Sequence, residues 1–354
     1  MTALLLINGE LLPGDADSTF DVINPSTGQP FNTAPHCSAA QAEMAVASAV
    51  RAGASWAATS FADRRLAMQA ALAVFEANAG ELAELLVREQ GKPLASATGE
   101  VKGCLGILKE WAETLTEACL LKDVYRDDAT CRVEVRRRPI GVIACITPWN
   151  FPLFCSIQKW VPAIMLGNTT VVKPSPFTPL TMLKVAELFC GVFPPGVLNV
   201  VSGDDTSSPS PPFNLGAFLS SHPSVAKVSF TGSIRTGKAI FASAATDVKR
   251  ITLEMGGNDP AIVRADCDVA AAAQGVFDGA FSNTGQICCA IKRCYVHDSV
   301  YDAFCSAIAE CAATALTQTM DGFEEGCKYG PLQNAMQFNR VRELVEDAKA
   351  NGGE

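Results

Sequence analysis

From residue 131 onward the chain changes texture, and the change narrows the folds open to it. "CRVEVRRRPIGVIACITP" is rich in β-branched residues, with near-alternation at its start. Short apolar runs then alternate with helix-like stretches. They are "NTTVVK" (168–173), a helix from Thr178-Pro179, "GVLNVVSG" (196–203), "AKVSFTG" (226–232), a helix from Ser233, "ITLEM" (251–255) and "PAIV" (260–263). Such alternation marks βαβ units wound on a parallel sheet. A helix over 268–284, a strand near 293–297 and a helix over 299–316 continue it. Upstream, residues 38–120 read as helical. Ser38 and Gln41 have capping-box spacing, and apolar residues recur at helical intervals through "AEMAVASAVRAGASWA" and "RRLAMQAALAVFEANAGELAELLV". The polar, proline-rich "DDTSSPSPPFN" (204–214) interrupts the pattern as a loop.

A chain of 354 residues has material for two domains, with three possible. A net charge of -9 argues against nucleic acid as the main partner. The one tight basic run, Arg136-Arg137-Arg138, reads as a solvated strand face. Pro, Gly or charged residues break every apolar run short of a membrane span, so no membrane partner is expected. The N-terminus has no basic n-region, and its apolar run is too short for a secretory signal. Fourteen cysteines in that context imply a reducing, cytoplasmic location, with most of them serving as small buried hydrophobes. None stands at C-x-x-C spacing, and His36, His222 and His297 are scattered, so no metal site is expected.

Five short motifs carry chemistry. "VSFTGSIRTGKAI" (228–240) ends a strand at Phe230, turns at Thr231-Gly232-Ser233 and starts a helix whose free N–H groups suit an anion. Many ligand-free turns look alike, and no G-x-G-x-x-G occurs anywhere. "PWNFP" (148–152) holds an Asn in a rigid turn, either to face a developing oxyanion or simply to pack the Trp. Lys173 ends a strand in "VVKPSPFTP", within reach of a cofactor ribose or phosphate, or else exposed. Glu254 sits in the apolar run "LEMGG", where burial would raise its pKa and make it a general base, while Gly256-Gly257 permit close backbone approach. In "FSNTGQICCAIKRC" (281–294), Cys288 and Cys289 are adjacent, a poor arrangement for a disulfide. A buried patch, a metal site and a nucleophile are the readings open to them.

Taken in order, "PWNFP", "VVKPSP", "SFTGS", "LEMGG" and "GQICCA" make the chain resemble the NAD(P)-dependent aldehyde dehydrogenase superfamily. The likeness runs from "ING…VINPSTG" through "EQGKPLASATGEV" (89–101) to "YGPLQN" (329–334). It implies an α/β fold: a Rossmann-like parallel-sheet nucleotide domain (1–120 and 142–254), a bridging, oligomerising β segment (121–141), and an incomplete α/β catalytic domain (255–354). It implies that Cys288 is the nucleophile and Cys289 a structural neighbour, with nearby electropositive donors favouring the Cys288 thiolate. The Asn150 amide and the Cys288 N–H would hold the oxyanion of the thiohemiacetal. Hydride transfer to NAD or NADP would leave a thioester, and Glu254 would activate the water that hydrolyses it. Lys159 would assist proton movement. Thr147, Pro148, Trp149, Lys173, Ser175, Gly232 and Ser233 would contact the cofactor. The aldehyde pocket would draw on residues near Phe154, Ile287 and Cys289.

Three departures from the family stand out. Pro176 occupies the place of a glutamate that binds ribose hydroxyls in many NAD-preferring members, which leaves NAD against NADP open. The 204–214 loop reads as an insertion near the adenine side, with no counterpart of the family's second glycine before Gly216. The sequence ends at "ANGGE", before the family's E-x-F-G-P motif and C-terminal oligomerisation strand. A homo-oligomer is therefore less firmly implied than the small-molecule aldehyde substrate. The alternative expectation is a catalytically impaired cofactor-binding or scaffolding chain. A thiol acyltransferase or esterase without cofactor is the third, and the TGS turn and Lys173 argue against it.

Overall fold

The computed structural model describes residues 2–204 and 213–353. The 204–214 loop falls mostly on residues 205–212, outside the described residues.

The chain opens with strands β1 (Leu5–Ile7), β2 (Glu10–Leu12), β3 (Thr19–Asn24) and β4 (Gln29–Pro35). Helices α1 (Ala39–Ala58), α2 (Phe61–Ala77), α3 (Ala79–Gln90), α4 (Leu94–Lys109) and α5 (Glu117–Leu121) follow. The expected capping box is present on α1: Gln41 N–H donates to Ser38 Oγ at 3.2 Å, and Ser38 N–H to Gln41 Oε1 at 3.1 Å. A hairpin of β5 (Lys122–Asp127) and β6 (Arg132–Arg136) stands apart as its own two-stranded sheet. Then come β7 (Val142–Ile146), α6 (Pro152–Met165), β8 (Thr169–Lys173), α7 (Leu180–Leu188), β9 (Leu198–Val200), α8 (Leu215–Ser221), β10 (Val225–Thr231), α9 (Ile234–Ala245) and β11 (Arg250–Glu254). The last part holds β12 (Asp259–Val263), α10 (Val269–Phe281), β13 (Ile291–Val296), α11 (Tyr301–Leu316) and α12 (Ala335–Ala350).

Seven strands form the main sheet in the order β11-β10-β7-β8-β9-β1-β2. β7 to β11 are parallel to their neighbours among themselves, and β1 and β2 extend the sheet antiparallel at one edge. The chain winds outward from β7 to β9, then returns to β7's other side with β10. β7 and β10 therefore flank a topological switch point, where α/β sheets open a crevice at the strands' carboxyl ends. Every residue of β7 and β8 is buried, as continuous apolar strands covered on both faces require. The main core contains Trp160 against Phe189 and Phe193, with ring centroids 5.9 and 6.2 Å apart. A smaller cluster of Val263, Ala273, Val276 and Phe304 holds α10 and α11 to the parallel β12–β13 pair.

Most strand and helix expectations from 142 onward agree with the structure to within a few residues. The predicted helix 268–284 is shorter, because Asn283 and Thr284 leave the helix with positive φ. Burial of most cysteines does not hold. Only Cys37, Cys104 and Cys145 are buried, and none of the seven cysteines from 267 onward is, since that part packs around so small a cluster. Among the described residues no helix is long and apolar enough to cross a membrane.

Glu89, near the end of α3, is fully buried with its carboxylate against the start of α7. Its carboxylate accepts from Leu180 N–H at 2.7 Å and Thr181 N–H at 2.9 Å, and from the Thr181 hydroxyl. Burial outweighs these bonds and pushes its pKa from 4.5 up to about 7. Its contribution to stability is thus fully present below about 4.5 and lost as pH rises through about 7. Denaturant titrations should show up to about 3 kcal/mol of stability lost across that window from this group. Glu89→Gln should flatten the profile there; an unchanged pH profile would exclude Glu89 as its source.

Candidate active site

An open cleft of about 3200 Å³ lies at the carboxyl ends of the sheet strands, and all of the sequence-predicted site residues line it. The strands deliver most of them. β7 ends in Ile146 and runs into Thr147-Pro148-Trp149-Asn150; β8 ends at Lys173; β10 ends at Thr231; β11 ends at Glu254. Thr147 N–H donates to the Lys173 carbonyl at 3.0 Å, and Gly232 N–H to the Glu254 carbonyl at 3.0 Å, so neighbouring strand exits are tied together.

The phosphate-side groups are arranged for an anion. Ser233 is the N-cap of α9, and its hydroxyl accepts from Thr236 N–H at 3.2 Å. The cap takes up the Thr236 N–H, while the other first-turn N–H groups of α9 have no intrahelical acceptor and lie at the positive end of the helix dipole. A side chain at Gly232 would strike the Phe230 ring, its Cβ 2.5 Å from the nearest ring atom, so the turn demands glycine. Lys173 is 3 % exposed, not a surface lysine, and its stem runs beside Gly216. Ser175 is buried and accepts from Phe177 N–H at 3.3 Å. Thr147 is buried in the cleft wall, and its Oγ1 has no hydrogen-bond partner. An orphaned hydroxyl, an open helix N-terminus and a lysine together fit a dinucleotide.

The catalytic candidates come from three further segments. Pro152, at the first turn of α6, and Pro148 fix the turn that carries Asn150. One Asn150 amide hydrogen donates to the Gln286 carbonyl at 2.8 Å, which ties the turn to the loop bearing Cys288. The other amide hydrogen remains for a ligand. Lys159 is buried on α6 and donates to Thr231 Oγ1 at 2.7 Å. Burial lowers its pKa, against the opposing influence of Cys155, Cys145 and Glu254. Glu254 is exposed to the cleft, which corrects the expectation of a buried carboxylate: it is the last residue of β11, an edge strand. Cys288 is exposed as well, and its pKa is raised rather than lowered, first by partial desolvation and then by Cys289 beside it. The expectation of a thiolate-favouring environment is not met in this state. Lys292 reaches back to the Cys288 loop, but it donates to the carbonyls of Cys288 (2.9 Å) and Ala290 (3.0 Å). A Cβ on Gly257 would stand 2.8 Å from the Cys288 carbonyl oxygen, whereas one on Gly256 would meet nothing.

The sequence pattern of the aldehyde dehydrogenase family matches residues 12–354. The chain belongs to this family. It is 36% identical over 354 residues to the succinate-semialdehyde dehydrogenase (NADP(+)) GabD of Escherichia coli, covering 98% of this chain and 70% of that protein. The mitochondrial succinate-semialdehyde dehydrogenase of Arabidopsis thaliana is 38% identical over 354 residues, and the chain spans 64% of its length. The crystal structure of succinate-semialdehyde dehydrogenase from Burkholderia pseudomallei superposes with a TM-score of 0.90 at 37% identity, covering 99% of this chain and 71% of that one. A betaine aldehyde dehydrogenase from Staphylococcus aureus in complex with NAD+ gives 0.92 at 29% identity, covering 99% of this chain and 70% of that one.

Sequence reasoning passed over several residues that build this family member's site. Lys92 and Glu100 were legible only as part of a family-like run. Asn283 and Thr284 gave no local signal for a left-handed turn. Gln333 joins distant parts: its side-chain amide donates to the Glu89 and Phe177 carbonyls, both at 3.1 Å, and its N–H to Gln286 Oε1 at 2.9 Å. Only the "YGPLQN" likeness hinted at it.

Proposed function

We propose that the chain oxidises an aldehyde to the carboxylic acid with NAD+ or NADP+, using Cys288 as nucleophile. The observation that carries this reading is the convergence, on one cleft at the sheet's switch point, of residues from Thr147 to Cys288. Cys288 gives up its proton to water or to the Glu254 carboxylate in the cleft, its sulfur forms a bond to the aldehyde carbon, and the carbonyl oxygen takes the negative charge as the C=O π bond breaks. The unused amide hydrogen of Asn150 and the Cys288 N–H stabilise that oxygen. A dinucleotide held along Thr147, Lys173 and Ser233 would supply the hydride acceptor for the same carbon, whose oxidation leaves a thioester on Cys288. Glu254, open to solvent, takes a proton from the water that cleaves the thioester. Lys159, whose pKa burial lowers, passes protons beside Thr231. Thr147, Pro148, Trp149, Lys173, Ser175, Gly232 and Ser233 form the cofactor half, within a nucleotide unit of 1–120 and 142–254. Phe154, Ile287 and Cys289 line the aldehyde side, and 255–354 supplies the nucleophile.

The test is aldehyde-dependent reduction of NAD+ and NADP+, measured beside dinucleotide binding. Relatives named for succinate and glutarate semialdehydes make these the first aldehydes to assay. Binding without turnover for every aldehyde tried would favour the cofactor-binding alternative. The β5–β6 hairpin exposes Val124, Tyr125, Val133 and Val135, and supports pairing with a second copy of the chain. Fourteen free thiols fit the reducing conditions of the cytoplasm.

Pro176 supplies no carboxylate of its own where it lines the cleft with Lys173 and Ser175, although Asp204 lines the same cleft. With no carboxylate at 176 to repel a 2′-phosphate, NADP+ is expected to be accepted alongside NAD+. Pro176→Glu should lower kcat/KM for NADP+ relative to NAD+ by about tenfold or more. An unchanged ratio would place the 2′-phosphate elsewhere.

A further inference from the structure

The carbonyl end of Asn150 is held as firmly as its amide end. Lys92, 2 % exposed, donates from Nζ to the Asn150 carbonyl at 2.9 Å, and Asn283 Nδ2 donates to the same oxygen at 3.2 Å. Lys92 Nζ also pairs with Glu100 Oε2 at 2.5 Å, both side chains fully buried, and lies 3.9 Å from the centre of the Phe151 ring. The other Glu100 oxygen accepts from the N–H groups of Leu153 and Phe154, each at 3.0 Å, at the start of α6. One ion pair, reaching in from the loop after α3 and from α4, thus grips both sides of the turn that presents Asn150.

A buried ion pair is a poor source of stability, because desolvation cancels much of its attraction. Its geometry here is directed at the backbone of one residue. Phe151, between the two grips, packs its face on the ammonium, so the turn cannot rotate without breaking these contacts. We propose that Lys92 and Glu100 are positioning residues that fix the Asn150 amide for oxyanion stabilisation. The inference rests on the proposed role of Asn150, and its test separates the two.

The probe is acylation of Cys288 by p-nitrophenyl acetate, followed through released nitrophenolate and peptide mapping, in a Cys289→Ala background. Acylation passes through a tetrahedral oxyanion and needs no dinucleotide. Alkylation of the same sulfur by iodoacetamide forms no oxyanion and reports only thiol reactivity and access. Asn150→Ala should slow acylation by about a hundredfold with alkylation unchanged. Lys92→Met should slow acylation by about tenfold or more, again with alkylation unchanged. Lys92→Met/Glu100→Gln removes both charges, and decides the matter where the single variant does not fold, as judged by its melting transition. If Asn150→Ala slows acylation and the folded Lys92 variants do not, the positioning role is overturned. If Asn150→Ala itself has no effect, the oxyanion reading of Asn150 fails, and the positioning role with it. Equal losses in acylation and alkylation would also overturn it, by showing general damage to the Cys288 loop.

Discussion

Cys288→Ala should eliminate aldehyde-dependent formation of reduced cofactor, a fall on the order of 10⁴-fold or more, because the proposed mechanism assigns to its sulfur the covalent bond on which both half-reactions depend. Cys289→Ala should keep most of the activity. The two thiols are adjacent and both exposed, so accessibility does not choose between them. The choice rests on the backbone. The Gln286 carbonyl accepts the Asn150 amide hydrogen, which places the stretch just before Cys288 against the presumed oxyanion donor, and a side chain at Gly257 would collide with the Cys288 carbonyl. An active Cys288→Ala with a dead Cys289→Ala would reverse the assignment.

Glu254→Gln should separate the two half-reactions. Gln keeps the shape of the side chain and cannot take a proton from water. A first-turnover burst near one reduced cofactor per active site is expected, followed by steady-state turnover lower by about 10² to 10⁴. The exposure of Glu254 at the end of an edge strand suits this role, since a hydrolytic base must be reached by water. Unimpaired steady-state turnover would remove Glu254 from the mechanism.

The parts of the fold that were legible in the sequence share a physical cause. β7 is a short apolar run and β8 a short β-branched one ending in Lys173, and parallel strands buried on both faces are built like that, whereas β10 is only partly buried and carries Lys227 and Ser229. β1 and β2 went unread because three residues carry too little pattern to register, although Leu5, Leu6 and Ile7 are all buried and lie between β9 and the edge strand β2. The site divides in the same way. Groups at strand ends, such as Lys173 and Glu254, announce themselves because polarity interrupts an apolar run. Lys92, Glu100 and Gln333 act through contacts as far as 244 residues away along the chain, between Gln333 and Glu89, and no local spacing encodes those.

The turn at Asn283, Thr284 and Gly285 has φ values of 50°, 56° and 75°. Three successive left-handed residues are unfavourable, most of all for a β-branched Thr, and cost about 1–3 kcal/mol for each non-glycine member. Within the segment, Gln286 offsets part of this by donating to the Asn283 carbonyl from its N–H at 3.1 Å and its side-chain amide at 2.9 Å. Asn283 is held by the Asn150 carbonyl, and the Thr284 hydroxyl donates to the Gly330 carbonyl at 2.8 Å. Gly330 is itself pressed so closely on the Gly91 carbonyl that no side chain would fit. The bend that carries the chain into Cys288 is therefore a conformation the segment cannot hold alone. Its shape depends on contacts with the 150 turn and the 330–333 stretch, so the placement of Cys288, the proposed nucleophile, is set by distant parts of the fold more than by its own segment.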